Sequence, residues 1–231
     1  MTFLRHDIRL DERLETVAGF VRPGSVAADI GTDHGYLICE LALRGVIPRG
    51  YACDINALPL ERARKTVVRC GLGDRIELRL CDGLSGLTPG CARDIVVAGM
   101  GGELICDIIA AADWLRDGDI RLILQPMTKA DELRAYLCRS GFDILAERAA
   151  LAGKHVYTVI SAVYSGVPSE PDELFLLAGR LPENAGKREK LYIAHQAQRC
   201  RTAAASLAAG GYSDEAGRRL LLAQRLESLA E

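Results

Sequence analysis

The feature that most limits what this chain can become is a rhythm. Between residues 26 and 140, short apolar runs alternate with stretches of helical period. Segments 26–30 (VAADI), 50–55 (GYACDI), 76–81 (IELRLC), 94–98 (DIVVA) and 121–124 (RLIL) read as strands, while 35–45, 58–70, 104–115 and 130–140 read as helices. Parallel neighbours need a long crossover, usually a helix, so this order predicts an α/β fold whose mostly parallel sheet is covered on both faces. The apolar runs of the fourth and fifth predicted strands suit the centre of such a sheet. The rhythm then breaks. Segments 142–150 and 155–165 are both β-rich and only four residues apart, which predicts an antiparallel hairpin at the sheet edge.

Residues 166–172 (GVPSEPD) read as a linker. Beyond it, helical segments at 184–209 and 214–230 flank Gly210-Gly211, as in a helical hairpin. The chain is therefore expected to divide into an α/β domain, 1–166, and a helical tail, 167–231. Leu191, Ala194, Ala197, Ala204 and Leu207 are expected to pack on Leu220, Leu222, Leu226 and Leu229. From Arg180 onward there are nine Lys/Arg against six Asp/Glu, although the whole chain carries −2. That balance excludes a basic nucleic-acid coat but not a local basic patch.

The 49% hydrophobic content allows a packed core and excludes global disorder. None of the eight cysteines forms a C-x-x-C pair, and with four scattered histidines no metal site is expected. Free thiols suit a reducing cytoplasm. The charged start, MTFLRHDIRLDERLETVA, predicts no cleavable leader, and no apolar run is long enough for a membrane span.

The chemistry concentrates at Asp29-Ile-Gly-Thr-Asp-His-Gly35, which follows the first strand and opens the first helix. In doubly wound sheets this turn borders the switch in strand order, where ligands bind. Gly31 permits a tight turn, and amides at the helix start are expected to be available to an anionic ligand group. A dinucleotide fingerprint would place its second glycine where Asp33 stands, and a carboxylate there repels a pyrophosphate. With Asp29 also present, the acidic wall suits a cationic ligand that carries a carboxylate at its other end. S-adenosylmethionine is such a ligand. Asp54 ends the second strand 23 residues after Gly31, close to the spacing of a ribose-binding carboxylate. Asp82 ends the third, within reach of an adenine amino group. His34 is either part of this loop's chemistry or a cap on the first helix. His155 and His195 are expected to be structural or exposed.

ADIGTDHGYL, ACDIN, CDGL, DIVVAGMGG and RLILQPM, in this order, resemble the bacterial tRNA (adenine(22)-N1)-methyltransferases. The segment 13–21 (RLETVAGFV) is similar to that family's opening helix, and the tail matches its coiled-coil-like C-terminal part in kind. The resemblance implies a class I, Rossmann-like S-adenosylmethionine methyltransferase with a seven-stranded sheet, an antiparallel edge hairpin and a C-terminal helical hairpin. It implies that Asp29, Gly31, Asp33, His34 and Gly35 form the cofactor loop. Asp54 would hold the ribose, Ile55 and Asn56 would lie beside the adenine, Asp82 and Gly83 would face its edge, and Arg13 would reach the cofactor. Gly99, Met100, Gln125 and Pro126 would position the target base. The family tends to read LQPN where this chain has Leu124-Gln125-Pro126-Met127. An Asn that touches the target base could not be replaced by Met127.

Adenine N1 has an in-plane lone pair, so no general base is needed, and none is assigned. The implied partner is tRNA. Arg180, Lys187, Arg188, Lys190, Arg199 and Arg201 are the candidate RNA contacts, with Arg62, Arg64, Lys65 and Arg69 as a second cluster. The rival readings are a methyltransferase of another RNA or a small molecule, a dinucleotide oxidoreductase disfavoured by Asp33, and a non-catalytic interaction protein on the same fold.

Overall fold

The computed structural model describes residues 8–231. The first seven residues of the charged start lie outside the described residues.

Seven strands form one sheet: β1 Ala27–Ile30, β2 Gly50–Asp54, β3 Ile76–Leu80, β4 Asp94–Gly101, β5 Arg121–Thr128, β6 Phe142–Ala152 and β7 His155–Tyr164. Their order is β3-β2-β1-β4-β5-β7-β6. The first five are parallel, while β7 runs antiparallel to both β5 and β6. The expected edge hairpin is present, with β7 inserted beside β5. Strand order reverses between β1 and β4, so the ends of these two strands open onto the switch point.

Alternation along the strands decides which side each residue buries. Ala28, Ile30, Ile95, Val97, Leu122 and Leu124 pack with Ile105, Ile108, Leu133 and Leu137 of helices α4 (Gly102–Ala110) and α5 (Ala130–Arg139). Ala27, Ala52, Val96 and Ile123 meet the other side. There they join Val17 of α1 (Glu12–Ala18), Leu37, Ile38 and Leu41 of α2 (Tyr36–Leu43), and Val67 of α3 (Ala57–Arg69). Asp11 caps α1, its carboxylate accepting from Leu14 N at 2.8 Å.

Two elements differ from the sequence reading. The helix expected over 104–115 stops at Ala110. Ala112 leaves helical backbone angles, and a 3-10 turn at Asp113–Leu115 drops Leu115 into the core. The tail contains three helices, α6 Glu173–Ala178, α7 Lys187–Ala209 and α8 Ser213–Ala230, rather than two. The six-residue α6 is too short to show a period.

The buried stripe of α7 runs through Tyr192, Ile193, Gln196, Ala197, Cys200 and Ala204, leaving Leu191 and Ala194 exposed. The helix is sandwiched between α8 and the sheet edge, so its contact face is rotated from the one a simple hairpin would bury. Ala149 of β6 joins Ile193, Ala197, Leu222 and Leu226 in this third apolar cluster.

A buried ion pair ties the tail to the sheet. Glu147 on β6 accepts from Arg134 Nε (3.0 Å) and Nη2 (2.7 Å) and from Thr158 Oγ1 (2.8 Å). Arg134 Nη1 donates to the carbonyl of Leu176 in α6 at 2.7 Å. Both charged side chains are fully buried, and every one of these bonds satisfies a group that would be costly to leave unpaired. Gly179 passes so close that a Cβ there would collide with Glu147 Oε1.

All eight cysteines are free thiols. Among the described residues no helix is long and apolar enough to cross a membrane, and no group of His, Cys, Asp and Glu could hold a metal ion.

Candidate methyl-donor and target-base site

The β1–α2 turn is held against β2. Gly31 N and Thr32 N both donate to the Cys53 carbonyl, at 2.8 and 2.9 Å. Asp33 N donates to Asp54 Oδ2 at 3.3 Å, and Gly35 N to the Thr32 carbonyl at 2.9 Å. These four amides of the turn are already used, whereas Tyr36 and Leu37, which open α2 after an N-cap without a side-chain cap, line the hollow. α1 brings the cation Arg13 to the same hollow.

Gly31 has φ +73°, a backbone conformation that favours glycine, and Met100 Cε lies against its open face. Asp33 also adopts a left-handed conformation, φ +49°. Its exposed carboxylate lies 3.5 Å from His34 Nε2 and 3.8 Å from Arg62 Nη1. His34 stacks on Tyr36 with ring centres 5.1 Å apart.

Asp29 is buried beneath the turn and accepts from Thr32 Oγ1 at 2.7 Å. Burial pushes its carboxyl up to about 6; the Thr32 hydrogen bond opposes the shift and the Asp54 charge adds to it. Asp54, also buried, is aimed by two amides: Oδ2 accepts from Asp33 N and Oδ1 from Asn56 N at 2.9 Å.

Two hollows adjoin here. One, of about 290 Å³, is lined by Arg13, Asp29, Gly31, Asp33, His34, Tyr36 and Gly99. The other, of about 330 Å³, is lined by Asp54, Ile55, Asn56, Asp82, Gly83, Met100, Leu104 and Ile108. Both include Gly31, Ala98 and Gly99, so they form one bent groove across the β1/β4 switch. The structure thus brings the predicted cofactor set together except Gly35, which lines neither hollow: it is the N-cap of α2 and faces Ala63 of α3. Thr32, Tyr36, Leu104 and Ile108 join the set unannounced. Leu104 and Ile108, one turn apart after the GMGG run, were the legible signal for an apolar wall.

The fifth strand, expected over 121–124, runs on to Thr128 and so takes in Gln125 and Pro126. Gln125 is buried in it as the hinge pin of the site. Its Oε1 accepts from Arg13 Nη1 at 2.6 Å and from Gly99 N at 3.1 Å. Its Nε2 donates to the Pro126 carbonyl at 3.0 Å and faces Met127 Sδ at 3.6 Å. The β4 register shifts at Gly99, where φ is +82° and the chain bulges towards the groove. Gln125 is thus a partner of Gly99 rather than a wall of the pocket. Pro126 and Met127 line a separate cleft.

The cationic residues of the tail do not form one free patch. Arg180 is a structural residue: it donates to the Ile144 carbonyl and pairs with Glu183 at 2.6 Å. On α7, Lys190 and Arg201 are three turns apart and face α8, where they meet the Glu231 carbonyl and Glu227. Arg188 and Arg199 share another face; Arg188 pairs with Glu12 at 2.8 Å, while Arg199 opens onto the cleft beside Met127. Lys187 is exposed at the start of α7. In the second cluster, Arg64 pairs with Glu61 at 3.1 Å, Arg62 leans on Asp33, and Lys65 and Arg69 are exposed.

A sheet of this order, with an acidic, half-apolar groove at its switch point and no dinucleotide loop, defines a Rossmann-like α/β methyltransferase. Residues 10–160 match the family described as "Methyltransferase domain". The tRNA (adenine(22)-N(1))-methyltransferase of Bacillus subtilis is 35% identical over 176 residues, 76% of this chain and 74% of that protein. The solved structure of the B. subtilis m1A22 tRNA methyltransferase TrmK superposes with a TM-score of 0.84 at 27% identity, covering 96% of this chain and 100% of the other. A Streptococcus pneumoniae structure in complex with S-adenosyl-L-methionine superposes at 0.81, also 27% identical, over 95% and 100% of the two chains. The chain belongs to the tRNA (adenine(22)-N(1))-methyltransferase family.

Proposed function

We propose that this protein transfers a methyl group from S-adenosylmethionine to N1 of adenine 22 in tRNA, in the cytoplasm. The observation that carries the reading is the meeting of the two hollows at Gly31 and Gly99. One hollow suits the amino-acid half of the donor and the other its nucleoside half, leaving the methyl at the junction where β4 bulges.

The residues present fit such a donor. Arg13 supplies the counter-charge for a carboxylate and Asp29 the counter-charge for a cation. Asp54, oriented by its two amides, accepts from ribose hydroxyls. Ile55, Leu104 and Ile108 sandwich the adenine, with Asp82 and Gly83 at its polar edge. The bound donor supplies an electrophilic methyl on a sulfonium. The protein's work is then to position the target and exclude water, because adenine N1 needs no deprotonation. Gly99 and Met100 set the approach of the target base, and Gln125 fixes Gly99. The cationic product is favoured by the acidic groove. Residues 1–166 act as the methyltransferase unit and the helices of 167–231 face the tRNA.

Purified protein with labelled S-adenosylmethionine should label an unmodified tRNA transcript carrying adenosine 22 and spare one carrying guanosine there. Equal labelling of both transcripts would move the reading to another nucleotide. Donor binding without any RNA labelling would move it to another substrate class.

A further inference from the structure

A third cleft, of about 360 Å³, opens on the same edge of the sheet. Because β7 is antiparallel, its first residues lie beside the last residues of β5. The cleft is walled by β5 from Pro126 to Thr128, by β7 from His155 to Thr158, and by α7 from Tyr192 to Arg199. It starts one strand away from the methyl-transfer junction, since Met100 is in register with Pro126 and Gly101 with Thr128. Neighbouring strands are about 5 Å apart, so the two sites are within reach of adjacent nucleotides of one RNA chain.

The chemistry of this cleft is opposite to that of the donor groove. The donor groove contains Asp29, Asp33, Asp54 and Asp82; among the described residues this cleft is lined by no carboxylate. Its charged side chains are Lys129 and Arg199. Lys129 is already neutralised by Glu103 and Glu132. Among the described residues Arg199 pairs with no carboxylate, and its guanidinium donates only to Gln196 Oε1, at 3.1 Å. Aromatic side chains line the same cleft. His155 and Tyr157 stand two apart on one face of β7, ring centres 6.2 Å from each other, and His195 approaches from α7, while Tyr192 lies buried at the floor beneath Arg134. An unpaired guanidinium among stackable rings is the combination that recognises single-stranded RNA: a phosphate on the cation and a base on the rings.

We propose that this cleft holds the nucleotide next to the methylated adenosine, its phosphate on Arg199 and its base against His155 and Tyr157. The cleft is therefore a splaying site. Holding the neighbour here unstacks the target base and lets it enter the junction at Gly99. Met127, on the rim, belongs to this subsite and not to the donor groove. The inference rests on RNA being the substrate and adds where that RNA is gripped.

The test uses the full chain and an unmodified tRNA transcript bearing adenosine 22. Binding of the transcript, binding of S-adenosylmethionine and methyl transfer are measured separately for the wild type, Arg199→Gln, Arg199→Lys, Tyr157→Ala and, as a surface control on α8, Arg218→Ala. Arg199→Gln and Tyr157→Ala are expected to weaken transcript binding at least fivefold and raise KM for tRNA accordingly. Donor affinity and the melting temperature should stay unchanged. In Arg199→Gln the plot of log Kd against log salt should flatten by about 0.7, the loss of one phosphate contact, and Arg199→Lys should restore it. Unchanged transcript affinity and salt slope in both cleft variants would overturn the cleft, as would a wild type that binds no transcript. A wild type that binds the transcript but methylates nothing would sink the proposed reaction alone, and the cleft would still be judged by the binding data.

Discussion

Replacing Gln125 by Ala should disable the site from beneath without touching the groove. The carboxamide oxygen is the shared acceptor of Arg13 Nη1 and the Gly99 amide. Without it the Gly99 N–H loses its protein partner, and because Gly99 is exposed, water takes up part of that loss. A hydrogen bond is worth about 0.5–1.5 kcal/mol net, and one to a charged group about 1.5–3 kcal/mol. Arg13 can also turn partly to water, so a total near 2 kcal/mol is expected; at about 2–4 °C per kcal/mol this lowers Tm by roughly 4–8 °C. The bulge and Arg13 are also freed, and a loss of about 1.4 kcal/mol in donor binding corresponds to a tenfold higher Kd. Gln125→Glu keeps an acceptor for both donors and should retain most of the donor affinity. Differential scanning calorimetry and titration calorimetry with S-adenosylmethionine read the two effects. A Gln125→Ala protein that melts within about 2 °C of wild type and binds the donor equally well would refute the assigned role.

Asp29 makes donor binding pH-dependent. Its folded carboxyl is raised to about 6 from an ordinary 3.8, so the folded state holds the extra proton between these values. Stability therefore falls as pH rises from about 4 to about 6 and is flat above. A cationic donor favours the ionised form, so affinity should run the other way, rising about fourfold from pH 5.5 to 7.5 as the ionised fraction grows. Calorimetric titrations at the two pH values check this, and Asp29→Asn should abolish the difference. Asp54→Ala removes the carboxylate aimed at the ribose and should raise the donor Kd by about ten- to a hundredfold, at roughly 1.5–3 kcal/mol for charged hydrogen bonds; equilibrium dialysis suffices, and an unchanged Kd would contradict the assignment. Glu147→Ala leaves Arg134 buried without its counter-ion and should cost about 3–5 kcal/mol in urea unfolding. The Arg134→Met/Glu147→Leu pair should recover much of that loss.

The sheet was legible because its signals are local. Each central strand is a continuous apolar run, each crossover has a helical period, and the four-residue gap before His155 leaves room only for a hairpin. The donor groove was legible for a related reason. Asp29, Asp54 and Asp82 stand at the ends of successive strands, and parallel topology brings such ends to one edge. What escaped depends on tertiary packing. The buried face of α7 is set by β6 as well as α8, so its helical period alone misplaced Leu191 and Ala194. Arg180 looks like any surface cation in sequence, yet it is spent on Ile144 and Glu183. The amides of Gly31 and Thr32 looked free because the Cys53 carbonyl that takes them is more than twenty residues away. His155 and His195 each looked incidental; only the antiparallel course of β7 and the docking of α7 bring them to one cleft.

Identifying the product tests the central claim most directly. A transcript with adenosine 22 would be incubated with the protein and S-adenosylmethionine, then digested, and its nucleosides separated and weighed. The proposed function predicts 1-methyladenosine, one per transcript, together with a block to reverse transcription at position 22 because the methyl occupies the pairing edge. Methylation at the exocyclic amine, or at any other nucleotide, would contradict it.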